Sequence, residues 1–167
     1  MYIHGDSSRF PQRKNPRMKH FDYTSANYYF VTICTRDKKC LFGTPNQLNT
    51  LGMLAQQGIV NISAHFPGVT IDKYVIMPNH IHAILIIGQP GIHLSNVIGQ
   101  YKSFVSKEAH KLHSNLHLWQ SSFHDHIIRS QSAYEKIWLY IESNPSNWEK
   151  DCFYLTSHNH SSATAGS

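Results

Sequence analysis

Two histidines one residue apart, His80 and His82, stand inside the apolar run MPNHIHAILIIG, Met77 to Gly88. In a strand alternate side chains share a face, so both imidazoles project the same way. Such a pair offers two nitrogen ligands to one divalent ion, and imidazole serves Zn, Mn, Fe, Co and Ni alike. The plainer alternative is two half-exposed strand histidines bonded to their neighbours, which an isolated His-x-His does not exclude. A third ligand is needed. SAYEKIWLYIESNP, near the end of the chain, offers one. There Tyr134, Ile137, Trp138 and Ile141 recur at helical spacing and predict a stripe facing a sheet. Tyr140 and Asn144 are four apart and stack on one side of that helix. At about 100° per residue they fall at the edge of the apolar stripe. A phenol there packs in part yet can present its hydroxyl to a groove; the alternative is a boundary tyrosine whose hydroxyl reaches water. Tyr101, by contrast, falls on the stripe of its own helix and is expected in the core.

Elements must hold these residues in place, and the chain has the material for them. At 167 residues it is one domain by length, and 41% hydrophobic with 12% aromatic residues makes it globular. No apolar run is long enough to cross a bilayer, and the opening MYIHGDSSRF lacks a secretory apolar segment, so the expectation is a soluble cytoplasmic protein with no membrane partner. A formal charge of +5 makes an anionic partner plausible without proving one. Cys34, Cys40 and Cys152 lack paired spacing and read as reduced thiols.

The apolar run YYFVTICTR predicts a central strand. Leu51, Leu54, Ala55, Gly58, Ile59 and Ile62 predict a helix closed by FPG. VTIDKYVIM then pairs with HIHAILIIG across Pro78-Asn79, a hairpin signal. Leu94, Val97, Ile98, Tyr101, Phe104 and Val105 form the stripe of a second helix, with Ser95 as its expected N-cap. LWQSSFHDHIIR holds the fourth strand. A last helix is expected from Ser132, with Glu135 completing a capping box, and must stop before Pro145. The order strand, helix, strand, strand, helix, strand, helix predicts an α+β, ferredoxin-like (split βαβ) antiparallel sheet with helices on one face. A basic extended arm over 1–22, a domain over 23–156 and a small-residue, disordered tail over 157–167 complete the expected organisation.

MPNHIHAILII and YIESNPSNW together resemble the HUH single-strand DNA endonucleases, specifically the REP-associated tyrosine transposases of bacteria. RMKHFDYTSANYYFVTICTRDKKCLFG resembles that family's opening and LWQSSFHDHIIRSQSAYEKIWLYIESNPSNWEKD its closing segment, so the resemblance runs from about Arg17 to Asp151. It implies His80 and His82 as two metal ligands, Asn144 as the third and Tyr140 as the nucleophile, with Mg²⁺ or Mn²⁺ as cofactor. It implies nicking and strand transfer of single-stranded DNA beside an imperfect hairpin, through a 5′-phosphotyrosine, in a bacterial, nucleoid-associated setting. A monomer is expected over a helix-exchanging dimer, because the segment between the fourth strand and the last helix is short. The alternatives are a domesticated hairpin-binding protein that does not cut, and, least favoured, a zinc hydrolase, for which no acidic base lies near the histidine pair in sequence.

Arg9, Arg13, Lys14, Arg17 and Lys19, interleaved with aromatics, are the expected contacts to the hairpin, with Lys102, Lys107 and Lys111 of the second helix extending the track. His124 and His126 form a second same-face pair, with His126 a candidate to orient the phosphate and Asp125 on the opposite face. Substituting Arg13, Lys14 and Arg17 together is expected to weaken hairpin binding and lower its salt slope by about 2 to 3. An unchanged slope in a filter-binding titration would reject the arm as a phosphate contact.

Overall fold

The computed structural model describes residues 27–154. The arm residues Arg9, Arg13, Lys14, Arg17 and Lys19 and the tail over 157–167 lie outside the described residues.

Strand β1 (Asn27–Cys34) leads through a short 3₁₀ turn into a small hairpin, β2 (Gly43–Thr44) and β3 (Gln47–Leu48). Helix α1 (Thr50–Val60) and the single turn α2 (Ile62–His65) follow, then β4 (Val69–Met77) and β5 (His80–Ile87). Helix α3 (Leu94–Leu112), β6 (His124–Ile128) and α4 (Gln131–Ser143) complete the chain, with a 3₁₀ segment over Pro145–Lys150 behind them. The main sheet runs β4-β5-β1-β6 with every pair antiparallel, the ferredoxin-like α+β topology expected from the element order.

Alternation along the strands divides the molecule. Tyr29, Val31 and Ile33 of β1 and Ile81, Ala83, Leu85 and Ile87 of β5 join one core with Ala55, Ile59, Val97, Ile98, Tyr101 and Val105 from α1 and α3. Tyr101 is in that core as expected, its hydroxyl donating to Ala55 O at 3.1 Å. Phe30 of β1, Ile84 of β5 and Ile128 of β6 point the other way and pack with Ile141 of α4. Helices on one face therefore describes α1 and α3 only. The last helix covers the opposite face, where the stripe of Tyr134, Ile137, Trp138 and Ile141 finds its apolar partners.

Two helix starts differ from expectation. The α4 cap is Ser130, whose hydroxyl accepts from Ala133 N at 3.2 Å. Ser132 sits inside the first turn, so no Ser132–Glu135 capping box forms and Glu135 instead accepts from Gln131. Helix α3 starts at Leu94, one residue ahead of Ser95, from His93 without a side-chain cap. In α3 the first helical residue, Leu94, is fully buried.

Helices α1 and α3 meet at Gly58, where an added Cβ would lie 2.8 Å from both Tyr101 Cε2 and Val105 Cγ2. In an exposed helix Gly→Ala is worth up to about 1 kcal/mol of stabilisation. Here the ring is pinned at its hydroxyl, so overpacking at about 1–3 kcal/mol outweighs that gain. Gly58→Ala should lower the urea midpoint; a raised midpoint would mean the helices separate freely.

Candidate active site

Register places the two histidines. In the pairing of β1 with β5, Thr32 lies opposite His82 and Cys34 opposite His80, so both imidazoles project onto the α4 face. Their rings stand 4.5 Å apart, and both are fully buried. Each is held from behind through Nδ1: Asn79 Oδ1 lies 2.8 Å from that atom of His80, and Thr32 Oγ1 lies 2.8 Å from that atom of His82. The Nε2 atoms are thereby left facing the space under α4.

Helix α4 brings two of the expected residues to that space. Tyr140 Oη lies 3.2 Å from His82 Nε2. One turn on, Asn144 is buried, as the last residue before Pro145 stops the helix. The Phe30 ring supports the group from the sheet, stacked on His82 with centroids 5.3 Å apart and edge-on to Tyr140.

A fifth residue arrives that sequence reasoning missed. Beyond the 3₁₀ segment the chain turns back, and the Asp151 side chain is almost wholly buried against the histidines. Its Oδ2 accepts from Asn144 Nδ2 at 2.8 Å, lies 3.5 Å from Tyr140 Oη and stands 4.0 Å from His80 Nε2. Phe153 follows, with its ring 4.4 Å from that of His80. Asp151 also overturns one ground for setting the zinc-hydrolase reading last: the fold supplies beside the pair the carboxylate that the linear sequence lacks there.

Burial pushes the His80 ring down to about 3, only partly opposed by the Asn144 amide. Burial also pushes His82 well below its ordinary value, and its neighbour His80 adds to this. Both are neutral imidazoles at physiological pH, the form that binds metals. Burial, with Asp151 next, pushes the Tyr140 phenol well above its ordinary range.

A divalent ion fits these groups. One ligand atom each from His80, His82 and Asp151 lie within 4.8 Å of one another. His80 Nε2 and Asn144 Oδ1 are buried without a hydrogen-bond partner, a costly state that a shared cation would relieve. The donor set of imidazole, amide and carboxylate suits an ion of borderline to hard character.

Other expected residues lie elsewhere. His126 shares the site face and packs edge-on to Phe30 at 5.4 Å, one ring removed from His82, and is exposed. Asp125 pairs opposite Val31, on the far side of the sheet as expected. Lys102 is on α3, where its ammonium donates to Gln120 O and Ser121 O and so ties down the loop ahead of β6. Lys111 pairs with Glu108 on the same helix. The three cysteines are free thiols. Among the described residues no helix is long and apolar enough to cross a membrane.

The sequence matches the family model for IS200-like transposases over residues 22–144. An uncharacterized protein of Haemophilus influenzae is 36% identical, over 86% of this chain and 93% of its own length. Among solved structures, the REP-associated tyrosine transposase bound to a REP hairpin is similar at a TM-score of 0.65 and 20% identity, covering 82% of this chain and 76% of its own. A candidate transposase from Deinococcus radiodurans R1 is similar at a TM-score of 0.52 and 16% identity, over 78% of this chain and 97% of its own. These two likenesses concern the fold. The family match covers most of the chain, and the chain belongs to the IS200-like transposases.

Neutral burial of His80 gives stability a pH dependence. Unfolded, the ring takes up a proton below 6.5; folded, it resists until about 3. The unfolded state therefore binds more protons in that window, and stability present above pH 6.5 is lost as the pH falls through it. Between pH 7 and 5 His80 alone accounts for about 2 kcal/mol. Urea unfolding in chelator should show this loss, and His80→Gln should flatten it; equal slopes in the two proteins would refute the assignment.

Proposed function

We propose, from membership of the IS200-like transposases, that this chain is a metal-dependent nickase and strand transferase of single-stranded DNA. The observation that carries this reading is the 3.2 Å approach of Tyr140 Oη to His82 Nε2, in a pocket also lined by His80, Asn144 and Asp151.

His80, His82 and Asn144, with Asp151 added, would hold Mg²⁺ or Mn²⁺. Bound there, a divalent ion would polarise a phosphate oxygen, offset charge developing in the transition state and ease loss of the phenol proton. Two imidazoles and an amide are neutral, so Asp151 supplies the only formal charge of the set and leaves a dication with positive charge to spare for phosphate.

Tyr140 Oη attacks phosphorus in line, forming an O–P bond while the bond from phosphorus to the 3′ oxygen breaks. The 3′ oxygen takes up a proton and leaves as a free hydroxyl, and the strand downstream of the break stays on the tyrosine through its 5′ phosphate. The phenol is protonated at neutral pH, and Asp151 Oδ2, at 3.5 Å, is the carboxylate in reach of that proton. A 3′ hydroxyl attacking the phosphotyrosine reverses the step and joins strands. Helix α4 keeps nucleophile and ligand one turn apart, so the approach is fixed by backbone rather than by a flexible loop.

A REP hairpin is what the similar REP-associated transposase holds, which supports an imperfect hairpin as the partner here. The arm residues Arg9, Arg13, Lys14, Arg17 and Lys19 would grip its phosphates, with exposed His126 beside the site guiding the strand. Lys102, already spent on two carbonyls, is the weakest of these contacts. Approach of Tyr140 to histidines of its own chain supports a working monomer.

End-labelled hairpin oligonucleotide incubated with Mg²⁺ or Mn²⁺ should yield a protein–DNA adduct that survives denaturation. Tyr140→Phe should abolish the adduct and leave the binding constant within about twofold, since the hydroxyl is already engaged with His82 and Asp151 inside the pocket and the phosphate contacts that carry affinity lie elsewhere. Binding without adduct in the parent protein would favour a non-cutting hairpin binder. Cleavage that persists in Tyr140→Phe would favour a zinc-type hydrolase built on Asp151.

A further inference from the structure

Turn residues ordinarily face water. Asn79, second residue of the two-residue turn between β4 and β5, is fully buried. Its side-chain amide is spent completely. Nδ2 donates to Lys38 O at 3.0 Å and to Phe153 O at 2.8 Å, and Oδ1 lies 2.8 Å from His80 Nδ1.

This arrangement has a direction. Turned over, the amide would set its oxygen against two carbonyl oxygens, none of which has a hydrogen to give. The oxygen therefore faces His80, and an oxygen of an amide can only accept. A hydrogen bond at that position requires the proton to be on Nδ1. A neutral imidazole carries one N–H, so with that hydrogen on Nδ1 the Nε2 atom is a bare lone pair. That same Nε2 is the buried atom without a hydrogen-bond partner, 4.0 Å from Asp151 Oδ2. His82 differs, because Thr32 is a hydroxyl that can donate or accept and so imposes neither tautomer.

We propose that Asn79 is a positioning residue that locks His80 as the Nδ1–H tautomer and so presents Nε2 ready-made as a ligand for a divalent cation. The lock is fastened at both ends of the chain's path past the site. Lys38, whose carbonyl takes one amide hydrogen, sits in the left-handed region at φ 52 in the turn after β1. Phe153, whose carbonyl takes the other, follows Asp151 in the segment that returns after α4, and its ring covers His80. The inference deepens the metal-binding part of the proposed function and rests on it, while the tautomer is measurable without DNA or turnover.

Nitrogen-15 NMR of the histidine side chains in metal-free wild-type protein at neutral pH should show His80 protonated on Nδ1 and bare on Nε2. In Asn79→Ala the His80 signals should move toward the Nε2–H form, and Mn²⁺ affinity measured by calorimetry should fall about 10- to 100-fold. A wild-type His80 protonated on Nε2 overturns the proposal, whether or not the variant folds. So does a wild type that binds no Mn²⁺, or an Asn79→Ala protein that keeps the wild-type tautomer or affinity. An Nδ1–H wild type that binds Mn²⁺ yet forms no DNA adduct supports the inference while the nuclease reading falls.

Discussion

Two imidazoles kept dry against each other set the terms for everything around them. Water would solvate either ring, and a proton would charge it; burial under α4 removes the first and opposes the second. Each ring then needs a partner for both nitrogens. The sheet side provides one through Asn79 and Thr32; on the helix side Tyr140 meets Nε2 of His82, while Nε2 of His80 faces the site without a hydrogen-bond partner. An interior polar group of this kind is tolerated only where the geometry is fully specified. The specification comes from three separate stretches of chain.

The sheet supplies rigidity because its two faces do different work. One face is a continuous apolar core with α1 and α3, and it holds the register of β1 and β5. The other is apolar near Phe30, Ile84 and Ile141 and polar a few residues away, at His80, His82 and Thr32. The apolar part anchors α4; the polar part receives its last turn. One helix thus serves as both clamp and carrier, and the edge-of-stripe position of Tyr140 is what lets it do both.

What could be read in the sequence followed from periodicity. Period two put His80 and His82 on one face, and helical spacing put Tyr140 and Asn144 beside the stripe of Tyr134, Ile137, Trp138 and Ile141. The strand pairing, the Pro78-Asn79 turn and the burial of Tyr101 follow from the same rules. Asp151 and Phe153 escaped because they lie beyond Pro145 in irregular chain, where no period says which way a side chain points. Asn79 was legible as turn chemistry, but its role depends on carbonyls 41 residues before and 74 residues after it. Lys102 read as part of the basic track along α3, and only the path of the loop ahead of β6 reveals two carbonyls within reach. The cap at Ser130 rather than Ser132 starts α4 two residues early on an equally favoured cap residue.

Because Tyr140 and Asn144 are one helical turn apart and the histidines are two strand positions apart, the site tolerates altered letters better than altered spacing. A single residue inserted between Tyr140 and Asn144 would swing one relative to the other by about 100°, and one inserted in β5 directly after His82, with the rest of the strand held in register, would send both rings to the wrong side of the sheet. Lengths between the strand pair and the helix can vary in the loops without moving these groups, while inside β5 and α4 the count of residues is itself part of the site.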